Sequence, residues 1–317
     1  MARSGRNTTR SEARVVLLGM RCAFTAPVLE ALLERPGVDL QAVVLPSPPA
    51  PARPAHGDPL LDLASRHDVP IHEVGTRSRL NAPELRAALE AIVPDLVVVA
   101  CFPWRVPGWL RSLPTCGCVN LHPSLLPDGR GPEPVFWTFR WGLAETGVTI
   151  HVVDAGFDTG PIVAQRRYAI PDDATLESVE RTLAQLGARL LIDTLPALLT
   201  RSAGASPQGS GLARPAPMPG PDDLVVPTSW SASHAARFIQ AVTPTYGPLA
   251  ILVQATGQRL AIGAVIEGDD DARIAEPVCL SGLEAHIRFT PGVLRCQLHT
   301  PSQPLLIHRT RRNHPDR

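Results

Sequence analysis

Asp95-Leu96-Val97-Val98-Val99-Ala100-Cys101-Phe102 is apolar from its second residue to its last. A strand with one wet face alternates polar and apolar residues, whereas a strand covered on both faces does not. The run therefore predicts a central parallel strand at residues 95–102. The same kind of run stands upstream. Residues 14–20, RVVLLGM, read as a buried strand. Residues 26–35, APVLEALLER, read as a helix whose Val28, Leu29, Leu32 and Leu33 share a face, ended by Pro36-Gly37. An apolar run at 40–45, a helix at 60–66, a short strand at 70–74 and a helix at 82–92 complete a βαβα alternation. Such alternation predicts an α/β fold with an open, mainly parallel sheet and right-handed crossovers. The first strand-to-helix turn carries only Gly19, so the G-x-G-x-x-G dinucleotide fingerprint is missing and this Rossmann-like sheet should serve another ligand.

Downstream, residues 118–122 predict a strand, 133–141 a helix, 147–154 a strand and 176–195 a long amphipathic helix that Pro196 should end or kink. Residues 202–221, SAGASPQGSGLARPAPMPGP, have the Ser, Gly, Pro and Ala content of a linker. Beyond them a helix at 232–242 and β-like runs at 249–254, 259–265 and 286–290 predict a small β-rich C-terminal domain. The expected organisation is a flexible tail at 1–13, a catalytic domain at 14–201, a linker at 202–221 and a second domain at 222–317. Two domains suit 317 residues at roughly 100–200 residues per domain.

Hydrophobic residues make up 44% of the chain, enough for a real core. No continuous apolar run approaches the ~18 residues of a membrane span. Thirty basic residues, all Arg, balance thirty acidic ones, so nothing global favours DNA, RNA or a membrane surface. Residues 46–59 form a Pro-rich stretch expected to be a surface loop with polyproline character. Cys22, Cys101, Cys116, Cys118, Cys279 and Cys296 form no C-x-x-C pair. Reduced, buried thiols and a cytoplasmic location are the expectation. The Arg-containing start of the chain is short, contains Glu12 and runs straight into a strand, so it reads as a tail rather than a transit peptide.

The chemistry concentrates between residues 120 and 160. Asn120 and His122 lie two apart on one strand, so period-two geometry puts both on one face, and Pro123 ends the strand. An amide and an imidazole thus project together at a strand's carboxyl end, where open α/β sheets bind ligands. Asp158 sits in a Gly-bracketed turn, Gly156 to Gly160, after the next strand. Neighbouring strands would deliver its carboxylate to the imidazole. Taken singly, each of these residues is more often a satisfied cap or a turn residue. A Ser124 nucleophile lacks an evident base, and a zinc site from His122, His151 and Asp158 is disfavoured because His151 alternates with apolar residues.

Asn120-x-His122, Ser124-Leu125-Leu126-Pro127, Arg130-Gly131, Glu145-Thr146-Gly147-Val148-Thr149 and Asp158-Thr159-Gly160 resemble the folate-dependent formyltransferase family. That family includes methionyl-tRNA formyltransferase, glycinamide ribonucleotide transformylase and amino-sugar formyltransferases. The resemblance is strong over residues 94–200. It extends more weakly to Gly19, Phe24 and Pro27 to Leu33, and faintly to Ser229 to Ala232 and Arg237 to Ile239, where the layout is closest to methionyl-tRNA formyltransferase. It implies that Asn120, His122 and Asp158 are catalytic, that Ser124, Leu125, Leu126 and Pro127 border the folate site, and that 10-formyltetrahydrofolate is the donor. It implies an amine acceptor, either initiator methionyl-tRNA or a small amine such as an amino sugar. A formyl-folate hydrolase or a folate-binding protein is the reading from another class.

Formyl transfer is acyl transfer, so an oxyanion develops as a neutral amine attacks. Asn120 and a protonated His122 suit it as donors, and Asp158 suits the task of orienting His122, favouring the imidazolium and helping the amine proton to the folate nitrogen. Departures from the tRNA enzymes concern the acceptor. Residues 46–59 hold only Arg53 and His56 where those enzymes carry a basic loop, and Pro132-Glu133-Pro134 replaces Ala-Ala-Pro. Residues 221–317 balance nine Arg against nine acids, where a tRNA-binding domain normally shows net positive charge.

Overall fold

The computed structural model describes residues 12–47, 58–209 and 213–299. The expected tail at 1–13 and the Pro-rich loop at 46–59 fall mostly outside these residues, as does everything after residue 299.

The first sheet is built by β1 (Ala13–Gly19), α1 (Thr25–Leu33), β2 (Val38–Pro46), α2 (Pro59–Arg66), β3 (Ile71–Val74), α3 (Pro83–Ile92), β4 (Leu96–Ala100), α4 (Gly108–Ser112), β5 (Cys118–His122), α5 (Pro134–Arg140), β6 (Glu145–Val152), β7 (Ile162–Ala169) and α6 (Leu176–Leu199). Strand order is β3-β2-β1-β4-β5-β6-β7. The first five strands are parallel, and β6 and β7 are antiparallel. The mainly parallel α/β sheet expected from residues 14–122 is present. β4 is buried at all five residues because helices cover both of its faces. Order reverses between β1 and β4, and a crevice opens outside the carboxyl ends of strands at such a point.

Local chemistry sets the helix ends. Asp58 accepts from the Leu60 N–H at 3.0 Å and Pro59 opens α2. Thr175 and Ser178 cap α6 reciprocally, at 3.1 and 2.9 Å. Pro196 does not end α6, which runs on to Leu199. Proline removes one donor so close to the end that a single carbonyl bond is lost, and the buried Leu195 and Leu198 hold the last turn to the core. α6 is the one described helix long and apolar enough to cross a membrane, but its apolar stripe, Val179, Leu183, Leu190 and Leu191 included, is buried in this domain.

The second sheet holds β8 (Val225–Pro227), β9 (Ala250–Val253), β10 (Gln258–Asp269), β11 (Val278–Ser281), β12 (Glu284–Arg288) and β13 (Val293–Leu298), with α7 (Ala232–Tyr246) before β9. Its order is β11-β12-β13-β10-β9-β8. α7 packs the two parts together. His234 donates to the Phe139 carbonyl at 3.1 Å, Arg237 to the Leu143 carbonyl at 3.0 Å and Arg140 to the Val225 carbonyl at 2.8 Å. Phe136, fully buried, meets Phe238 at 5.6 Å and Tyr246 at 5.2 Å between ring centroids. One apolar cluster therefore runs through both sheets.

The segment between the sheets is bonded to the first domain. Ser206 pairs with Ile162 through two backbone bonds of 2.8 Å, Arg214 forms an ion pair with Asp128, and the Ala216 N–H donates to the Arg130 carbonyl at 2.7 Å. Composition alone suggested only a connector.

Phe136→Ala should cost ~3–5 kcal/mol, as truncating a buried aromatic does. Because Phe136 joins both parts, urea unfolding followed by probes in each should shift together. A shift confined to one part would show that the two cores are not coupled.

Candidate active site

Asn120 and His122 leave β5 on the face shared with β6, where Asn120 pairs with His151 and His122 with Thr149. Asp158 follows β6 in a left-handed conformation, φ 53°, which Asp tolerates better than most residues. The turn closes against the strand so tightly that a Cβ on Gly160 would sit 1.8 Å from the Val152 carbonyl oxygen. Asn120, His122 and Asp158 meet in one cavity of about 420 Å³, otherwise walled largely by apolar residues such as Met20, Phe24, Phe102, Val135 and Met218.

Hydrogen positions follow from the partners. The His122 Nε2 lies 2.7 Å from the Gly129 carbonyl, which only accepts, so Nε2 carries the proton. The working nitrogen is then Nδ1, 3.7 Å from Asp158 Oδ1. That gap is too wide for a hydrogen bond, so Nδ1 is not committed to Asp158. The His151 Nδ1 faces its neighbour's carbonyl, Val152 O, at 2.9 Å, so neutral His151 accepts at Nε2. Asn120 Nδ2 donates there at 3.1 Å and to Asp158 Oδ1 at 3.2 Å. Both of its N–H groups are thus engaged, and giving one to an oxyanion means releasing one of these bonds.

Asp158 Oδ2 accepts from the Gly131 N–H at 3.0 Å. Burial alone would raise its pKa, but the imidazoles of His122 and His151 and the Gly131 N–H outweigh burial and hold the carboxyl well below the ordinary carboxylate range. Its backbone is pinned as well. Gln208 donates to the carbonyls of Asp158 and Gly160, both at 2.8 Å, and accepts from Arg130 at 2.6 and 3.0 Å.

Ser124, Leu125, Leu126 and Pro127 do not line this cavity. They build the turn behind it. Ser124 Oγ donates to the Asp128 carbonyl at 2.7 Å, Thr149 Oγ1 donates to the Ser124 carbonyl at 2.6 Å, and Gln165 donates to the Leu126 carbonyl at 2.8 Å. The turn so braced carries Gly129 O and Gly131 N, the two backbone groups that orient His122 and Asp158.

Gln208 and Met218 were not singled out by sequence reasoning, and His151 was weighed only as a zinc ligand. His151 had a readable signal, since it lies on the face of β6 opposite Asn120. Gln208 had none, because its partners lie 48 to 78 residues away. Glu133, 6% exposed, and Glu180 also line the cavity. A second cleft, about 640 Å³, holds Arg77, Arg105 and Arg111 beside Ala155. Arg105 stacks on Phe157 at 4.5 Å, so the Asp158 turn divides the two spaces. Among the described residues no group of three His, Cys, Asp or Glu is placed to hold a metal ion.

Residues 24–195 match the sequence pattern of the formyl transferase family. A methionyl-tRNA formyltransferase of Trichlorobacter lovleyi is 36% identical over 59% of this chain and 58% of its own length. That of Myxococcus xanthus is 33% identical over 84% of this chain and 87% of its own. An N-formyltransferase from Helicobacter canadensis, in complex with folinic acid and dTDP-3-aminofucose, superposes with a TM-score of 0.63 at 14% identity, covering 91% of this chain and 100% of that one. With the family pattern spanning more than half of its residues and the Myxococcus relative aligned along most of both lengths, the chain belongs to the formyl transferase family.

Proposed function

We propose that this enzyme moves the formyl group of 10-formyltetrahydrofolate onto the amine of methionyl-tRNA, with Asn120, His122 and Asp158 as its catalytic residues. The observation that carries the reading is their meeting in one largely apolar cavity, with His122 Nδ1 not hydrogen-bonded to Asp158. The names of the Trichlorobacter and Myxococcus relatives support the acceptor.

The amine attacks the formyl carbon, and the carbonyl electrons move to oxygen. His122 Nδ1–H and one Asn120 N–H, released from Asp158, receive that oxygen. The intermediate collapses as the bond to folate N10 breaks, and N10 takes a proton. A carboxyl as acidic as that of Asp158 is a weak base. It therefore serves as a fixed negative charge facing the His122 edge, and the amine proton passes along that edge rather than being held on Asp158. The Arg-rich cleft suits the carboxylates of the folate tail, and the cavity with Glu133 suits an amine.

A small-molecule acceptor is the second reading. It is favoured by the charge of the C-terminal part, where residues 221–317 balance nine Arg against nine acids and so lack the net positive charge of a tRNA-binding domain. Incubating the purified chain with 10-formyltetrahydrofolate, methionyl-tRNA and a nucleotide-linked amino sugar together, then finding which carries the formyl group, decides between them. Formyl-methionyl-tRNA is the expected product. A formylated sugar would select the second reading, and free formate from either mixture would reject both.

Three substitutions test the roles. His122→Ala should lower kcat about 100-fold or more, the size of one lost oxyanion donor, with little change in folate affinity. Asp158→Asn keeps the shape but removes the fixed negative charge. It should lower kcat about tenfold or more with KM nearly unchanged, and near-normal turnover would contradict this role. Gln208→Ala frees the Asp158 backbone and should lower kcat roughly tenfold with KM nearly unchanged, the signature of an interaction used in the transition state.

A further inference from the structure

We propose that Cys22 and Cys101 form a hydroperoxide-reactive thiol pair beside the active-site cavity, Cys22 being the attacking sulfur and Cys101 the resolving one. The argument starts from topology. Gly19 and Ala100 are paired at the ends of β1 and β4, the two strands where the sheet order reverses. Cys101 follows Ala100 directly, and Cys22 stands in the turn three residues after Gly19. Thr25 ties the two ends together. Its hydroxyl donates to the Ala100 carbonyl at 3.0 Å, accepts from the Met20 N–H at 3.1 Å and lies 3.5 Å from the Cys22 sulfur. The Cys22 and Cys101 side chains are in hydrogen-bonding contact, so the two sulfurs face each other beyond these strand ends.

The surroundings distinguish this pair from the chain's other thiols. A hydrogen bond with Cys101 lowers the Cys22 pKa most, burial opposes it, and the Thr25 hydroxyl and the Thr25 and Phe24 N–H groups at the start of α1 bring it to about 6. Burial pushes Cys118 and Cys296 up to about 12. Cys101 lines the cavity beside Phe102 and takes a left-handed backbone, φ 58°, so its sulfur is held at the cavity wall. Both thiols are half-buried rather than sealed, contrary to the expectation that all six are buried.

The chemistry balances without a metal or a flavin. The Cys22 thiolate attacks one peroxide oxygen, the O–O bond breaks, and the other oxygen leaves as an alcohol, or as water from hydrogen peroxide, after taking a proton. Sulfur loses two electrons and the O–O bond gains them. Cys101 then gives up its proton and attacks the Cys22 sulfenic acid. The S–S bond forms, the S–O bond breaks and water leaves.

The full-length protein, titrated with hydrogen peroxide, alkylated and digested without reductant, should yield one linked peptide pair joining Cys22 and Cys101, lost again on adding dithiothreitol. Cys101→Ser should instead accumulate a Cys22 sulfenic acid trapped by dimedone, and Cys22→Ser should leave Cys101 unoxidised. Iodoacetamide labelling of Cys22 should rise with a midpoint near the Cys22 value of about 6, not near the ~8.5 of an ordinary thiol. Oxidation of the exposed Cys279 before this pair, a bridge between other cysteines, or a Cys22 labelling midpoint at 8 or above would overturn the proposal.

Discussion

A carboxylate removed from water must be solvated by the protein or lose its charge, and the site of this enzyme is organised around that requirement at Asp158. Its side chain is 13% exposed. The groups that face it converge from several parts of the chain. Asn120 and His122 are delivered by β5, His151 by β6 and the Gly131 N–H by the turn before α5. Gln208 fixes its backbone from the segment that follows α6. The anion is therefore satisfied only when the whole domain is assembled, and that assembly holds the carboxyl below the ordinary carboxylate range. His122 depends on the same assembly, since the turn that brings Gly131 also brings the Gly129 carbonyl that fixes its tautomer.

The same constraint explains why Ser206, Gln208, Arg214 and Ala216, between the sheets, are bonded to the first domain. A turn carrying a left-handed Asp between two glycines has little rigidity of its own. Two hydrogen bonds from Gln208 supply it, and Arg130 in turn holds Gln208. Gly131 belongs to this packing. A Cβ there would come within 2.6 Å of the Ala216 carbonyl oxygen, so a side chain would push the connecting segment away from the site. Pro215, Pro217 and Met218 then complete the cavity wall. Docking of the second sheet through α7 and Phe136 keeps the far end of this segment in place.

Much of this was legible in the sequence, and the illegible parts share a cause. β5 could be read at its full length, Cys118–His122, because Pro123 ends it and apolar residues flank Asn120. β4 was legible because burial on both faces leaves no polar residue inside it. β7 was not recognised. Its Gln165, Arg166 and Arg167 stand together on an exposed edge strand and mask the alternation. The convergence of Asn120, His122 and Asp158 followed from period two and a guess that the strands are neighbours. Residues 202–221 were misjudged in importance, because composition registers Pro and Gly but not side-chain bonds closed across fifty residues. Ser124 to Pro127, expected to border the folate, shape the turn that carries Gly129 and Gly131.

The position of Asp158 also orders the space around it. Ala155 lies on one cleft, while Phe157 and Asp158 lie on the other, so a turn only a few residues long is the partition between them. Charge differs across this partition. Arg77, Arg105 and Arg111 gather on one side, whereas on the other Glu133, Glu180 and Asp158 outnumber Arg130. An anionic ligand and an amine held on opposite sides would each meet complementary charge, and fields of this kind orient ligands before contact. The turn from Ala155 to Asp158 stands between the two spaces and carries the carboxylate that faces His122, so ligands on its two sides would approach each other at that turn.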